Sequence, residues 1–270
     1  MARHDPGALQ GPGDPRPRRA EGRGPAVLAL HGYGGTPLEV ELVVDAARAV
    51  GLAAHAPLLP GHGVHASELS RTRYTDWLDG AERALDELAP GGAPVIIVGL
   101  SMGSLLAAEL ALRHGDRVVG LGMLANATRL FEPYPAALLR TLDRVGLRDF
   151  SIPKSGADIA DPAARASHAT FGVQPIGGAI EVLRAGERLE PHLRSLRCPA
   201  LVAHGARDHV CPVANAHRVA RALGGSYVRV LVLPRSFHIV TRDLDRELLA
   251  GELQTFLARV SGGPQRPVEP

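Results

Sequence analysis

Ser101 stands in Gly99-Leu100-Ser101-Met102-Gly103, between the β-branched run "PVIIV" and the Ala/Leu segment "SLLAAELAL". A strand that turns sharply into a helix strains its central residue, so small neighbours two before and two after relieve the clash. Gly99 and Gly103 meet that need. The hydroxyl then projects from the turn at a helix N-terminus, where the dipole and unpaired N–H groups favour developing negative charge. A serine hydroxyl is a weak nucleophile, and it needs a base oriented by a third group. In this arrangement the chain order is serine, acid, histidine. His238, in "LPRSFHIVTRD", follows the penultimate element and is the best-placed base of the twelve histidines. Asp208, in "AHGARDHVCP", follows a strand signal and is the matching acid. Asn126 occupies the other position where an acid could stand, and Asp243 and Asp245 read as helix-capping residues.

Acyl transfer also requires donors for an oxyanion. The backbone N–H of Met102, directly after the serine, is one, and the loop "HGYGG" supplies the other through the N–H of Tyr33. Gly32 lets that loop turn its N–H inward, and His31 orients the loop in a supporting role. His55, His62 and His65 form no metal-ligand set, because no thiol or carboxylate cluster completes one. Neither a Walker phosphate loop nor a dinucleotide fingerprint is present, and no cofactor is expected.

The elements that must position these residues alternate from residue 25 onward. "AVLAL" (26–30), "AAHAPLL" (53–59), "APVIIVGL", "VVGLGMLA" (118–125), "PALVAHG" (199–205) and "YVRVLVL" (227–233) read as strands. Helical segments lie between them, among them 75–89 with Trp77, Ala81, Leu85 and Leu88 on one face. Thr36, Pro37 and Glu39 read as N-cap, first helical residue and capping-box partner. The pattern predicts a mainly parallel sheet covered on both faces. It breaks over 126–196, an insert that would roof the crevice at the strands' C-terminal ends. The expected layout is a disordered leader at 1–24, a core at 25–125 and 197–260, the insert, and a disordered tail at 261–270.

Composition excludes several classes. The chain has 270 residues, is 45% hydrophobic and 21% charged, and carries a net charge of +2. No basic stripe suggests nucleic acid. No apolar run approaches the ~18–20 residues that span a bilayer, and the Pro/Gly/Arg-rich leader lacks a signal peptide's apolar core. Cys198 and Cys211 flank a predicted strand that holds them too far apart for a disulfide. Reduced thiols fit a cytoplasmic location. The pattern gives no expectation of oligomeric state.

Taken together, "LALHGYGG", "APLLPGHG" with "SEL" after it, "TDWLDGAERAL", "VGLSMGS", "CPALVAHGARDHVCP" and "SFHIVTRD" resemble the α/β-hydrolase superfamily over nearly all of residues 25–260. More narrowly they resemble its bacterial carboxylesterase and monoacylglycerol-lipase branch. The resemblance implies Ser101, Asp208 and His238 as a triad, Tyr33 and Met102 as oxyanion donors, and a small helical cap within 126–196. It also implies hydrolysis of small-molecule carboxylic esters through an acyl-serine, and the near-neutral charge points to short or medium acyl groups. Acyl transfer, thioester hydrolysis or a cofactor-free haloperoxidase-like reaction would use the same triad, and a non-catalytic binding protein is the reading outside enzymology. One departure stands out: Ser104 follows the elbow where the family often has a second glycine.

Overall fold

The computed structural model describes residues 5–131, 136–146 and 150–262. Its centre is a seven-stranded sheet of β1 (Arg18–Ala20), β2 (Ala26–Leu30), β3 (Ala54–Ala56), β4 (Val95–Leu100), β5 (Val118–Leu124), β6 (Ala200–Gly205) and β7 (Val228–Leu233). The order across the sheet is β7-β6-β5-β4-β2-β3-β1. All neighbours are parallel except β1, which runs antiparallel to β3. Continuous apolar runs make this possible, since a strand covered on both faces has no polar side to present. Every residue of β2, β4 and β6 is buried.

Alternation along each strand divides the core between the two faces. Leu28, Leu30 and Ile97 pack with α2 (Ala66–Arg71), α3 (Tyr74–Leu88), α4 (Met102–Arg113) and α8 (Ala214–Ala222). Val27, Ala29, Ile96 and Val98 pack with α1 (Glu41–Ala49) and α9 (Arg246–Val260). Parallel register then brings the C-terminal ends of β2, β4, β5, β6 and β7 to one edge. Backbone bonds tie that edge together: Ser101 N–H reaches Leu124 O at 2.9 Å, Ala125 N–H reaches Ala203 O at 2.8 Å, and Ala206 N–H reaches Leu233 O at 2.9 Å.

The insert contributes α5 (Ala136–Arg144), α6 (Pro162–Ala166) and α7 (Ile176–Leu189), plus an antiparallel ribbon of Ser151–Pro153 with Val173–Pro175. α7 runs directly into a 3₁₀ turn at Glu190–Ser195.

Three local expectations are corrected. Residues 5–24 are not a disordered leader. Leu9–Gln10 pairs with Thr170–Phe171 of the insert, and β1 closes the open edge of β3. Of the arginines in this stretch, Arg18 is held by Glu41 at 2.9 Å and by Asp14 at 3.4 Å. Gly22 lies so close to the Leu52–Ala53 backbone that a Cβ there would meet it at 2.1 Å. Residues 1–4 and 263–270 lie outside the described residues. The strand at 53–59 is only β3, because Pro57 lacks the N–H that the ladder would need. The capping box is absent: a 3₁₀ turn spans Pro37–Val40, Thr36 makes no side-chain cap, and Glu39 turns inward. Its carboxylate fills the space where a Cβ on Gly35 would sit.

Among the described residues no helix is long and apolar enough to cross a membrane. Both cysteines are free thiols.

Candidate active site

The turn after β4 is as tight as the glycine spacing predicts. Ser101 adopts φ 54° and ψ −119°, a conformation that costs an L-residue energy and persists only where its surroundings hold it. A Cβ on Gly99 would strike Gly103 O at 2.0 Å, and one on Gly103 would strike Leu30 O at 2.1 Å. Both contacts are with backbone, so neither glycine has room for a side chain. Ser104 suits its position. It is fully buried and donates its hydroxyl to Ser101 O at 2.6 Å, which tightens the first turn of α4.

Three predicted site residues meet at the sheet edge. Ser101 Oγ lies 2.9 Å from His238 Nε2, and His238 Nδ1 lies 2.8 Å from Asp208 Oδ2. A carboxylate can only accept here, so Nδ1 carries the proton and Nε2 is left to accept the serine hydroxyl. The other carboxylate oxygen, Oδ1, accepts Val210 N–H at 2.7 Å and Cys211 N–H at 2.8 Å. Burial opposes the charge on Asp208, but the His238 charge, the two imidazole donors and the Cys211 N–H hold it well below the usual carboxylate range. Burial likewise opposes the imidazolium of His238. Asp208, joined by the charges of Asp158 and Glu39, outweighs that and raises its pKa.

Of the predicted oxyanion donors, Met102 directly follows Ser101 and Tyr33 lines the same cavity as the serine. Met102 begins α4, where no residue four earlier in the helix can accept its N–H. The Gly32–Tyr33 loop lies against the serine, a Cβ on Gly32 falling 3.3 Å from Ser101 Cβ. His31 braces this loop from both ring nitrogens: Nδ1 donates to Gly32 O at 2.9 Å, and Nε2 accepts Leu59 N–H at 3.1 Å. Burial lowers its pKa, in keeping with that neutral tautomer. The histidine of the "GHG" loop is also scaffold. His62 packs edge-on against His31 at 4.8 Å and near Trp77 at 5.9 Å, and burial lowers its pKa to about 3. Tyr33 anchors its hydroxyl on Pro175 O at 2.7 Å, which links the loop to the insert.

Three residues at the site had no functional reading in the sequence. His204, read only as a strand residue, directs Nε2 at Asp208 Oδ2 (3.1 Å) and at Cys211 O (3.2 Å). Both partners are acceptors, so Nε2 carries the proton, and Asp208 is held by two imidazoles. A histidine four residues before the acid, at the end of an apolar strand, was the available signal. Replacing His204 with Leu removes the donor from a buried carboxylate. We expect a loss of about 1.5–3 kcal/mol of stability, read as a lowered Tm, with His204→Gln recovering part of it through its amide donor.

Glu39 accepts Gly32 N–H at 3.1 Å and pairs with His168 at 3.2 Å. Burial opposes its charge, but His168, His31 and Lys154 hold its pKa down to about 2. Asp158 of the insert is the third. Asp243 and Asp245 do not cap α9 with their side chains. Asp243 accepts Phe237 N–H at 2.7 Å, and Asp245 takes Ser236 Oγ–H at 3.0 Å and Arg235 N–H at 2.7 Å, so both brace the loop before His238.

A cavity of about 270 Å³ opens on Ser101 and His238. Leu130, Val182, Val210 and Ile239 give it apolar walls, and Lys154 and Gln174 add polar groups. The arrangement can deprotonate a serine beside a small, mostly apolar chamber.

Residues 23–245 match the family described as serine aminopeptidase, S33. A thermostable monoacylglycerol lipase of Bacillus sp. (strain H-257) is 26% identical over 246 residues, covering 91% of this chain and 95% of its own. A monoacylglycerol lipase of Mycolicibacterium smegmatis is 24% identical over 249 residues, covering 87% and 88% respectively. Among solved structures, one described under LipS and LipT, two metagenome-derived lipolytic enzymes, superposes with a TM-score of 0.82 at 25% identity, over 93% of this chain and 100% of that one. The monoacylglycerol lipase of Paleococcus ferrophilus shares the fold, with a TM-score of 0.77 at 18% identity over 91% and 100%.

Proposed function

The chain belongs to the serine aminopeptidase S33 family of α/β-hydrolases, and from that premise we propose that it hydrolyses carboxylic esters of short to medium acyl chains through an acyl-serine. Ser101 attacks the ester carbonyl while His238 Nε2 takes its proton. Asp208 keeps the imidazole in the required tautomer and stabilises it when it becomes cationic. The N–H groups of Tyr33 and Met102 receive the oxyanion. His238 returns the proton to the departing alcohol, and it then activates the water that releases the acid.

The observation that carries this reading is the unbroken relay from Ser101 Oγ through His238 to Asp208, opening on a partly apolar cavity. At about 270 Å³ the chamber falls just under the ~300–1,000 Å³ that holds drug-sized ligands, which favours compact acyl groups. Esters are favoured over peptides with a free N-terminus. A substrate ammonium needs an available carboxylate, and the two that line the cavity among the described residues are engaged within the chain. Glu39 is held by Gly32 N–H and His168, and Asp158 by His209 and His238 N–H. The likeness, over 91% and 87% of this chain, to two proteins named monoacylglycerol lipase makes monoacylglycerols the first natural esters to assay.

A series of p-nitrophenyl esters from acetate to palmitate, run beside aminoacyl p-nitroanilides, tests the reading. Activity is expected to peak at butyrate to octanoate, with no turnover of the anilides. A maximum at palmitate would overturn the acyl-length assignment, and anilide turnover exceeding ester turnover would overturn the substrate class. Added alcohol or thiol acceptors should not divert the acyl group from water.

A further inference from the structure

One carboxylate of the insert reaches both loops that carry the reacting groups. Asp158, between the ribbon strand Ser151–Pro153 and α6, accepts on Oδ2 the backbone N–H of His209 at 3.0 Å and that of His238 at 3.2 Å. Its Oδ1 lies 2.8 Å from His209 Nδ1, and its backbone carbonyl accepts Ile239 N–H at 3.1 Å. His209 directly follows Asp208. A single side chain therefore spans from the acid's loop to the base itself. The base loop grips the insert in return, since Asp243 accepts the N–H groups of Ala160 and Asp161, each at 3.0 Å.

We propose that Asp158 is a positioning residue for the Ser101–His238–Asp208 relay: it fixes the separation of the acid and base loops and sets a negative charge against the imidazole, so that the insert governs reactivity as well as covering the site. The proposal rests on the serine-hydrolase reading above. Its physical basis is that the relay works only while the groups stay within hydrogen-bond reach, and a displacement of about 1 Å can cost on the order of a hundredfold in rate. The loops of residues 208 and 238 leave different strands, β6 and β7, so neither strand alone holds that spacing.

The charges that face His238 come from three elements: Asp208 after β6, Asp158 of the insert, and Glu39 of the 3₁₀ turn after β2. Each has further partners. His204 bonds Asp208, His168 pairs with Glu39, His209 pairs with Asp158, and the charge of Lys154 faces both Glu39 and Asp158. Asp158 favours the imidazolium, so its loss lowers the pH at which His238 becomes a free base.

Two variants of the full chain separate clamp from charge. Asn at 158 retains a carbonyl for the two backbone N–H groups and discards the charge, whereas Ala discards both. The readout is the second-order rate at which a fluorophosphonate phosphonylates Ser101, with loss of fluoride, across about pH 6 to 9, which reports serine reactivity whatever ester the protein prefers. For D158N the rate relative to wild type is expected to be roughly threefold higher at about pH 6 than at about pH 8. D158A is expected to react at least about tenfold more slowly than D158N at about pH 8. A pH-independent ratio for D158N, together with D158A equal to D158N, would sink the proposal while leaving the hydrolase reading intact. A folded wild type that the probe fails to label would take down both.

Discussion

Ser101→Ala is expected to lower ester turnover by on the order of a millionfold and to abolish fluorophosphonate labelling, with the far-UV spectrum and Tm preserved. The size follows from what the hydroxyl does. Without it there is no acyl-enzyme, and a water would have to attack directly, with no fixed position relative to His238. The fold should tolerate the change because alanine keeps the Cβ and the strained φ is enforced from outside. The Ser101 N–H bond to Leu124 O and the packing of Gly103 on Leu30 O both involve backbone. Turnover by the folded variant within about tenfold of wild type would remove the nucleophile from the mechanism.

Asp208→Asn is expected to cost roughly ten-thousandfold in kcat with little change in KM, because the site dictates which way the amide must face. Oδ1 of Asp208 accepts two backbone N–H groups, from Val210 and Cys211. An asparagine keeps its carbonyl there and turns its NH₂ toward His238 and His204. Both imidazoles now present a proton to the carboxylate, so the NH₂ would meet donors on two sides. The least costly escape for His238 is to move its proton to Nε2, which then donates to Ser101 Oγ when it should accept. The side chain retains its place and the relay runs with the wrong tautomer. Kinetics at saturating ester, together with the imidazole NMR signals of the variant, check this. A kcat within about tenfold of wild type would mean that the carboxylate is not needed for the tautomer.

Much of the site was legible in the sequence because its signals are local. The strand–turn–helix around Ser101 is written in consecutive residues: β-branched side chains that must be covered, glycines where backbone meets backbone, and then the Leu/Ala-rich helix formers of 105–112. His238 and Asp208 could be read from their placement after predicted strands, since a parallel sheet delivers every strand end to the same edge. The loop "HGYGG" could be read in the same way.

What short-range pattern could not convey was pairing. Residues 5–24 have the composition of a solvated tail, yet a free sheet edge and a facing strand in the insert, each far off in sequence, give their backbone groups partners. Glu39 fits a capping box by spacing alone. Its true partners, Gly32 and His168, lie on separate segments, and only the missing Cβ of Gly35 makes room for its carboxylate.

His204 and Asp158 show the same limit at the site itself. A histidine in an apolar strand, or an aspartate in an irregular insert, carries no periodicity that marks it, and its meaning arises when folding sets it beside a particular carboxylate or N–H. Sequence alone determined the order of the core elements from residue 25 onward, the elbow and the identities of the three groups in the relay, because these follow from steric and solvation preferences acting over a few residues. Tertiary structure decided which buried charges face that relay and what holds its loops apart, because desolvation and hydrogen bonding depend on neighbours that the chain brings together only once it has folded.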